Sequence, residues 1–235
     1  MIEIDGMMGE GGGQVLRSSL SLSLLTGQPV RLTRIRAGRA KPGLGYQHRM
    51  AVEAAARISS AQVEGARIGS QELYFSPGAI VPGNYHFDIG TAGATSLVLQ
   101  TVLLPLALAS CPSQLHITGG THVAWSPCYH YLDWHWRPLL GRLGVVFELD
   151  MDMAGFYPQG GGVVRAVLPG DARLRGLDLR ERGRLLRVRG LSAVANLAEE
   201  IGIRQRNRAL RQLRELDCEI DILLALSLIH ISEPT

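Results

Sequence analysis

The sequence predicts an α+β fold made of duplicated α/β repeats, each with helices packed on one side of a sheet. Short alternating patterns typical of half-buried strands are interleaved with segments of helical periodicity. The order of these patterns recurs, and the alternating strands that end at Thr33 and Thr118 occupy equivalent places. The period is therefore roughly 85 residues, which is too long for a solenoid and suits a duplicated α/β repeat.

The first repeat is expected to open with a strand at residues 1–8, which leads into a glycine cluster at residues 9–13. Apolar residues at helical spacing then predict a helix that ends near Gly27. The rest of the repeat is predicted as a strand at 30–35, a basic loop at 36–45, a helix at 47–58 and strands around 63–68, 72–75 and 85–89.

The second repeat is expected to follow the same order from a small-residue loop at residues 90–94. Its elements are predicted as a helix at 96–109, a strand at 114–118, a helix at 129–143 and strands around 145–149 and 163–168. The apolar stretch at 97–109 is shorter than a bilayer span and contains Gln100 and Pro105. A buried helix is therefore expected there, and no membrane association is expected.

Composition places the chain among globular proteins, since 46% of its residues are hydrophobic. Its three cysteines show no paired spacing, which predicts reduced thiols and a cytoplasmic location. The net charge of +3 does not by itself indicate nucleic-acid binding, and Lys41 is the only lysine. The excess of arginine has two interpretations, a GC-rich genome or a preference for bidentate phosphate contacts.

The glycine cluster at residues 9–13 is the first candidate site. Glycines let backbone N–H groups approach an anion, and the start of a helix favours negative charge. Glu10 is suited to holding a divalent metal between phosphates. The cluster lacks the Gly-Lys-Ser/Thr ending of a P-loop, and a purely structural turn is the alternative.

The loop at residues 36–43 is a sharper candidate, because it carries Arg36, Arg39 and Lys41 between residues that can fix its shape. Guanidinium groups on such a loop can bind phosphate oxygens, and Arg17 on the first helix could face the same cleft. A solvated charged surface is the alternative. Gln100 inside its apolar helix is either a satisfied core amide or a ligand contact.

Two other features have mainly structural interpretations. The spacing of Cys128, His130 and His135 matches no common closed zinc site. The aromatic residues nearby are expected to pack into a core more readily than to stack on bases. These residues are Trp125, Tyr131, Trp134 and Trp136.

Four motifs in order resemble those of the RNA 3'-terminal phosphate cyclase family. They are GEGGGQVLR at residues 9–17, IRAGRAKPGL at 35–44 with Gln47 and His48 beyond it, SLVLQT at 96–101 and GFYPQGGG at 155–162. The similarity extends from Ile2 to about Ile222 and weakens after Arg189. The family's proteins contain three α/β repeats, with a small domain inserted before the third.

The resemblance implies an enzyme that uses ATP to convert an RNA 3'-phosphate end to a 2',3'-cyclic phosphate. It implies that Glu10 and Gln100 bind ATP, with Glu10 at a divalent metal, Mg²⁺ or Mn²⁺. It also implies that the terminal phosphate of the RNA is bound by Arg17, Arg36, Arg39 and Gln47. The presence of Arg17, Arg36, Arg39 and Gln100 favours an active cyclase over a non-catalytic relative. The four motifs argue against an enolpyruvyl-type transferase, and a plain RNA-binding module would need no ATP motif.

The same resemblance predicts the domain organisation. Residues 1–184 are expected to form two repeats of the cyclase domain, residues 185–222 the start of the inserted domain, and residues 223–235 a tail that resembles translated sequencing-adapter read-through. The inserted part is predicted to contain a strand at 185–189, an arginine-rich helix at 196–216 and a strand that begins within 215–221. The nucleophilic histidine belongs to the third repeat, so the chain is interpreted as a truncated copy.

The chain of residues 1–235 is therefore predicted to form no covalent AMP adduct when it is incubated with labelled ATP and a divalent metal. None of its seven histidines lies in a motif like that of the family's nucleophile. Groups that only bind nucleotide cannot replace a nucleophile. Label retained after denaturation measures the adduct, and a stable AMP group on any histidine would contradict the prediction.

Overall fold

The computed structural model describes residues 1–226. The chain divides into two compact units, Met1–Gly176 and a second unit that begins at Leu177. Within the described part, no helix is long and apolar enough to cross a membrane. Residues 227–235 of the expected tail lie outside the described residues.

The first repeat is a four-stranded sheet with two helices. Its elements are β1 (Ile2–Asp5), α1 (Gly13–Thr26), β2 (Val30–Thr33), α2 (Tyr46–Arg57), β3 (Gln62–Glu64) and β4 (Leu73–Ser76). The strand order is β1-β2-β4-β3. β1 and β2 are parallel, whereas β4 is antiparallel to both β2 and β3. α1 thus forms the crossover that two parallel neighbours require.

The second repeat has the same topology. Its elements are β5 (Asn84–Asp88), α3 (Thr95–Ala107), β6 (Ser113–Gly119), α4 (Tyr129–Tyr131), a π-helical turn (Leu132–Trp136), α5 (Arg137–Arg142), β7 (Glu148–Met153) and β8 (Gly162–Leu168). The strand order is β5-β6-β8-β7, and the parallel and antiparallel pairs match those of the first repeat. The predicted α+β fold of duplicated sheet-and-helix repeats is confirmed.

Several predicted elements differ from the structure. The strands expected at 1–8 and 63–68 are shorter, as β1 and β3, and the helix expected at 129–143 is divided by the π-helical turn. Two further strands also differ. The strand expected at residues 85–89 was assigned to the first repeat, but it is β5, which pairs in parallel with β6 from Asn84↔Gln114 to Asp88↔Thr118. It therefore opens the second repeat, as β1 opens the first. The strand expected at 145–149 begins only at Glu148. Val145 and Phe147 are 1% and 3% exposed, so their apolar character reflects burial of a connecting segment.

The helices pack on one another as well as on the sheets, since α1, α2 and α3 are all in mutual contact. Leu20 and Val98 have no exposed surface, and the Ser21 hydroxyl donates to the Thr101 carbonyl at 2.8 Å. Burial of each such apolar side chain stabilises the fold by about 2 kcal/mol. The contact between α1 and α2 brings the starts of these two helices, and the loops before them, together.

The second compact unit is a β-α-β arrangement. β9 (Arg187–Val194) and β10 (Glu219–Leu226) are parallel neighbours, and α6 (Glu199–Leu213) connects them. β9 begins and ends later than the strand predicted at 185–189, β10 begins within the predicted range of 215–221, and the helix is shorter at both ends. β10 includes residues 223–226, the first four residues of the expected tail, in a continuous register from Arg187↔Glu219 to Val194↔Leu226.

Candidate functional site

The glycine cluster forms the turn that enters α1. Gly9 and Gly11 have φ of 60° and 56°, in the left-handed region that favours glycine. Gly12 is the N-cap of α1, and the first turn of the helix contains no acidic residue. The positive end of the helix dipole is thus not neutralised by its own first turn. The side chain of Glu10 is 94% exposed, so its carboxylate faces solvent at this turn.

The arginine loop at residues 36–43 is held by its own backbone. The Gly43 N–H donates to the Ile35 carbonyl at 2.9 Å, and the Arg36 guanidinium donates to the Gly43 carbonyl at 2.6 Å. Gly43 has φ of 76°, and a Cβ atom there would lie 2.1 Å from the Gly69 carbonyl oxygen. Only glycine fits this position. The end of the arginine loop is therefore held against the backbone at Gly69.

Arg17 is the most unusual charged group of the site, since its residue is only 7% exposed. Its guanidinium donates to Oε1 of Gln47 at 3.3 Å and to Oε1 of Gln14 at 2.9 Å. Among residues 1–226, Nε of Arg17 and Nε2 of Gln47 have no hydrogen-bond partner. Burial lowers the pKa of Arg17 to about 10, so the side chain remains a cation at neutral pH.

Arg39 joins the arginine loop to the glycine cluster. Its Nη2 donates to the Glu10 carbonyl at 3.1 Å and lies 3.6 Å from the Glu10 carboxylate. A Cβ atom at Gly12 would approach the same nitrogen to 3.2 Å. The side chain of Arg39 is 46% exposed, so this cation can still reach a ligand in solvent.

His48 lies between the start of α1 and the end of the arginine loop, beside Gly13 and Gly45. Its motif did not predict a role for it. Its Nδ1 accepts the Gly45 N–H at 3.2 Å, and a Cβ atom at Gly13 would lie 2.1 Å from its Nε2. Burial and then the charges of Arg36 and Arg17 lower the pKa of His48 to about 4. The ring is therefore neutral at pH 7, with its proton on Nε2. The signal available in the sequence was a histidine three residues after the helix-capping residue Gly45, where a side chain can accept the N–H of the capping residue.

Gln100 lies at a groove rather than in the core. It is exposed on α3 and lines a groove of about 340 Å³ together with Gln14 and Arg17. The core-amide interpretation is therefore wrong, because Gln100 lies on the side of α3 that borders this groove, together with Leu103 and Leu104. Glu10 is not among the lining residues. The structure thus places Gln100 next to Arg17, and Glu10 next to Arg39.

The second repeat carries a histidine pair after β6. Nε2 of His122 lies 2.9 Å from Nδ1 of His130, and Nδ1 of His122 lies 2.8 Å from the Thr121 hydroxyl. Within residues 1–226, no group of three or more His, Cys, Asp or Glu side chains could hold a metal ion. The expected core packing of the aromatic residues is wrong for Trp125, which is fully exposed in a loop, and for Tyr131, which is 49% exposed.

Stability of the chain is predicted to fall as the pH drops from about 6.5 towards 4. The pKa values of His48 and His122 are lowered from 6.5 to about 4, so in this window the unfolded chain binds protons that the folded chain does not. Each group contributes on the order of 1–3 kcal/mol above pH 6.5, and this contribution is lost as the pH falls.

Urea unfolding of the parent and of His48→Gln across this window measures the effect. The variant should show roughly half the pH dependence of the parent, because His122 still contributes. Equal pH dependence in the two proteins would show that His48 titrates alike in the folded and unfolded states.

Comparison with known proteins identifies the family. A sequence profile described as "RNA 3'-terminal phosphate cyclase" matches residues 8–229. The RNA 3'-terminal phosphate cyclase of Nostoc punctiforme is 49% identical over 229 residues, which are 94% of this chain and 66% of that protein. The protein of the same name from Ralstonia nicotianae is 53% identical over 205 residues, which are 87% of this chain and 59% of that protein.

A solved structure, the enolpyruvyl transferase NikO from Streptomyces tendae, aligns with 91% of this chain and 38% of its own, at 16% identity and a TM-score of 0.37. A similarity this low carries no inference about fold or function. The chain spans 59–66% of the length of the two curated relatives described above. Because the family profile covers most of the sequence, the chain belongs to the RNA 3'-terminal phosphate cyclase family.

Proposed function

We propose that the chain takes part in the ATP-dependent conversion of an RNA 3'-phosphate to a 2',3'-cyclic phosphate. The observation that carries this proposal is the buried cation Arg17, whose Nε has no hydrogen-bond partner among the described residues. Burial of a charge without an opposite charge costs on the order of several kcal/mol. A bound phosphate would supply that charge, together with acceptors for Nε of Arg17 and Nε2 of Gln47.

The reaction that the family resemblance implies has three steps. A histidine nitrogen attacks the α-phosphorus of ATP, and pyrophosphate leaves. An oxygen of the RNA 3'-phosphate then attacks the AMP phosphorus and releases the histidine. The neighbouring 2'-OH finally attacks the RNA phosphorus, loses its proton and releases AMP. Activation is needed because an oxygen of a simple phosphate leaves poorly, whereas AMP leaves well, and the last attack is intramolecular.

The described residues fit the phosphate-binding part of this scheme. Arg17 and Gln47 would bind the terminal phosphate from the side of α1 and α2, while Arg36 and Arg39 would bind it from the loop. These cations reduce the repulsion between two phosphates that must approach each other. His48 is neutral, so it can donate a hydrogen bond from Nε2 without adding charge, and its main role is to position the loops.

ATP and a divalent metal, Mg²⁺ or Mn²⁺, are assigned to Glu10 and Gln100. The exposed carboxylate of Glu10 at the start of α1 fits a metal that takes one protein ligand and several phosphate oxygens. Such an ion would shield the charge of the nucleotide phosphates. Gln100 would contact the nucleotide from the groove beside Arg17. We propose a cytoplasmic location for the protein. Its three cysteines are free, as expected for reduced thiols.

Replacement of Arg39 by alanine is predicted to reduce the preference of the chain for RNA that ends in a 3'-phosphate. Loss of one charge-assisted contact to the terminal phosphate should weaken binding roughly tenfold or more. Fluorescence anisotropy with one RNA sequence, ending in either a 3'-phosphate or a 3'-OH, measures the preference directly.

Arg31→Ala is the matched control, because Arg31 is also 46% exposed and also has one acidic neighbour, Glu72 at 3.3 Å. This variant should bind both RNAs within about twofold of the parent, as expected for an exposed ion pair outside the proposed site. Equal effects of the two substitutions would make the arginine loop a solvated surface and would contradict the proposal.

A further inference from the structure

Helix α6 in the second compact unit carries a dense set of arginines that the proposed cyclisation site does not use. Five of the eleven residues at 204–214 are arginine, and all five are exposed. Among residues 1–226, none of them forms an ion pair. They are Arg204, Arg206, Arg208, Arg211 and Arg214.

Several other exposed arginines have carboxylate neighbours, Arg31 and Arg165 among them. In the same unit, Arg180 lies 3.0 Å from Asp178 and Arg184 lies 3.2 Å from Asp217. The acidic residues of α6 are confined to its first turn, at Glu199 and Glu200. The positive charge along the rest of the helix is thus not balanced by its own sequence or by neighbouring described residues.

Three of these arginines lie on one face of the helix. Arg204, Arg208 and Arg211 have the i, i+4, i+7 spacing that aligns side chains in an α-helix. We call these three residues the α6 stripe. Seven residues at 1.5 Å each give the stripe a length of about 10 Å. It is therefore a line of cations rather than a single cationic point, and a chain of repeated negative charges matches that shape.

The opposite face of α6 is fixed to the strands. Gly202 is buried, and a Cβ atom there would lie 2.8 Å from the side chain of Leu224 on β10. The Ser192 hydroxyl of β9 donates to the Gly202 carbonyl at 2.8 Å. This side of the helix therefore packs on the strands, and the stripe lies on the solvent-exposed side.

We propose that the α6 stripe is a second RNA-binding site, which binds backbone phosphates of single-stranded RNA. Arginine is suited to this role because its planar guanidinium forms bidentate bonds with phosphate oxygens. Contacts to the backbone alone carry no sequence preference. The identification of RNA as the polyanion rests on the proposed function, whereas the charge and spacing of the stripe do not.

The test compares RNA binding by the parent chain with binding by two triple variants of equal charge. One variant carries R204Q, R208Q and R211Q in the stripe. The other carries R31Q, R165Q and R180Q, which remove three exposed arginines that have carboxylate neighbours. Fluorescence anisotropy with a 20-nucleotide RNA is measured over a range of salt concentrations, and thermal unfolding checks that each variant is folded.

The stripe variant should bind the 20-nucleotide RNA at least tenfold more weakly than the parent at low salt. The slope of log K against log salt should decrease in magnitude by about 2, since each lost phosphate contact of a single strand contributes about 0.7. The control variant should stay within about threefold. A stripe variant that binds with the affinity and salt slope of the control would overturn the inference.

Two further RNAs separate this inference from the proposed function. With a 20-nucleotide RNA that ends in a 3'-OH, the stripe substitutions should have the same effect as with the phosphate-ended RNA. With a dinucleotide that ends in a 3'-phosphate, they should have no effect. If the stripe matters but the parent shows no preference for a 3'-phosphate, the inference stands and the proposed function fails.

The opposite pair of results also separates the inference from the proposed function. A parent that prefers the 3'-phosphate, together with a stripe variant of unchanged affinity, would retain the proposed function and reject the α6 stripe as an RNA site. An equal loss of affinity for the dinucleotide and the long RNA would also reject it, because the arginines would then belong to the site of the terminal phosphate.

Discussion

Arg17 is buried at the contact between α1 and α2 with two glutamine amides, and no carboxylate, as its partners in the described part of the chain. An amide oxygen accepts a hydrogen bond but does not neutralise the guanidinium charge. The apolar packing of the helices stabilises this arrangement, so the fold holds a charged group in a place that water reaches poorly. A bound anion interacts more strongly with such a group than with a charge in bulk solvent.

The buried charge of Arg17 also determines which groups can lie beside it. Burial, and then the charges of Arg36 and Arg17, lower the pKa of His48, so a third positive charge does not form beside them at neutral pH. His48 can lie between them only because Gly13 has no side chain. The glycine-rich start of α1 therefore has a packing role as well as the anion-binding role that the sequence indicates. The structural interpretation of this cluster therefore holds, and the ligand-site interpretation stays a prediction.

Much of the fold could be predicted because periodicity reports which face of an element is buried. The helices and the duplicated order were visible in this way, and the two sheets confirm the duplication. Strand pairing was not visible, since β5 belongs with β6 by a parallel register that no local pattern encodes. The apolar neighbours of Gln100 in the sequence could not predict whether its side chain is buried or exposed either. Its exposure depends on how α3 lies beside Arg17 of a helix about 80 residues earlier in the chain.

The roles of Arg17, Arg36, Arg39 and Gln47 were proposed from motifs alone, whereas the place of His48 beside Arg17 and Arg36 required the structure. The central claim is that the buried guanidinium of Arg17 receives the terminal phosphate. The most direct measurement is the NMR resonance of the Arg17 Nε–H group in arginine-labelled chain, assigned by its loss in Arg17→Lys. A nucleoside 3'-phosphate should shift this resonance, and the same nucleoside without phosphate should not. If the 3'-phosphate binds and shifts other resonances while that of Arg17 Nε–H stays unchanged, the account is contradicted.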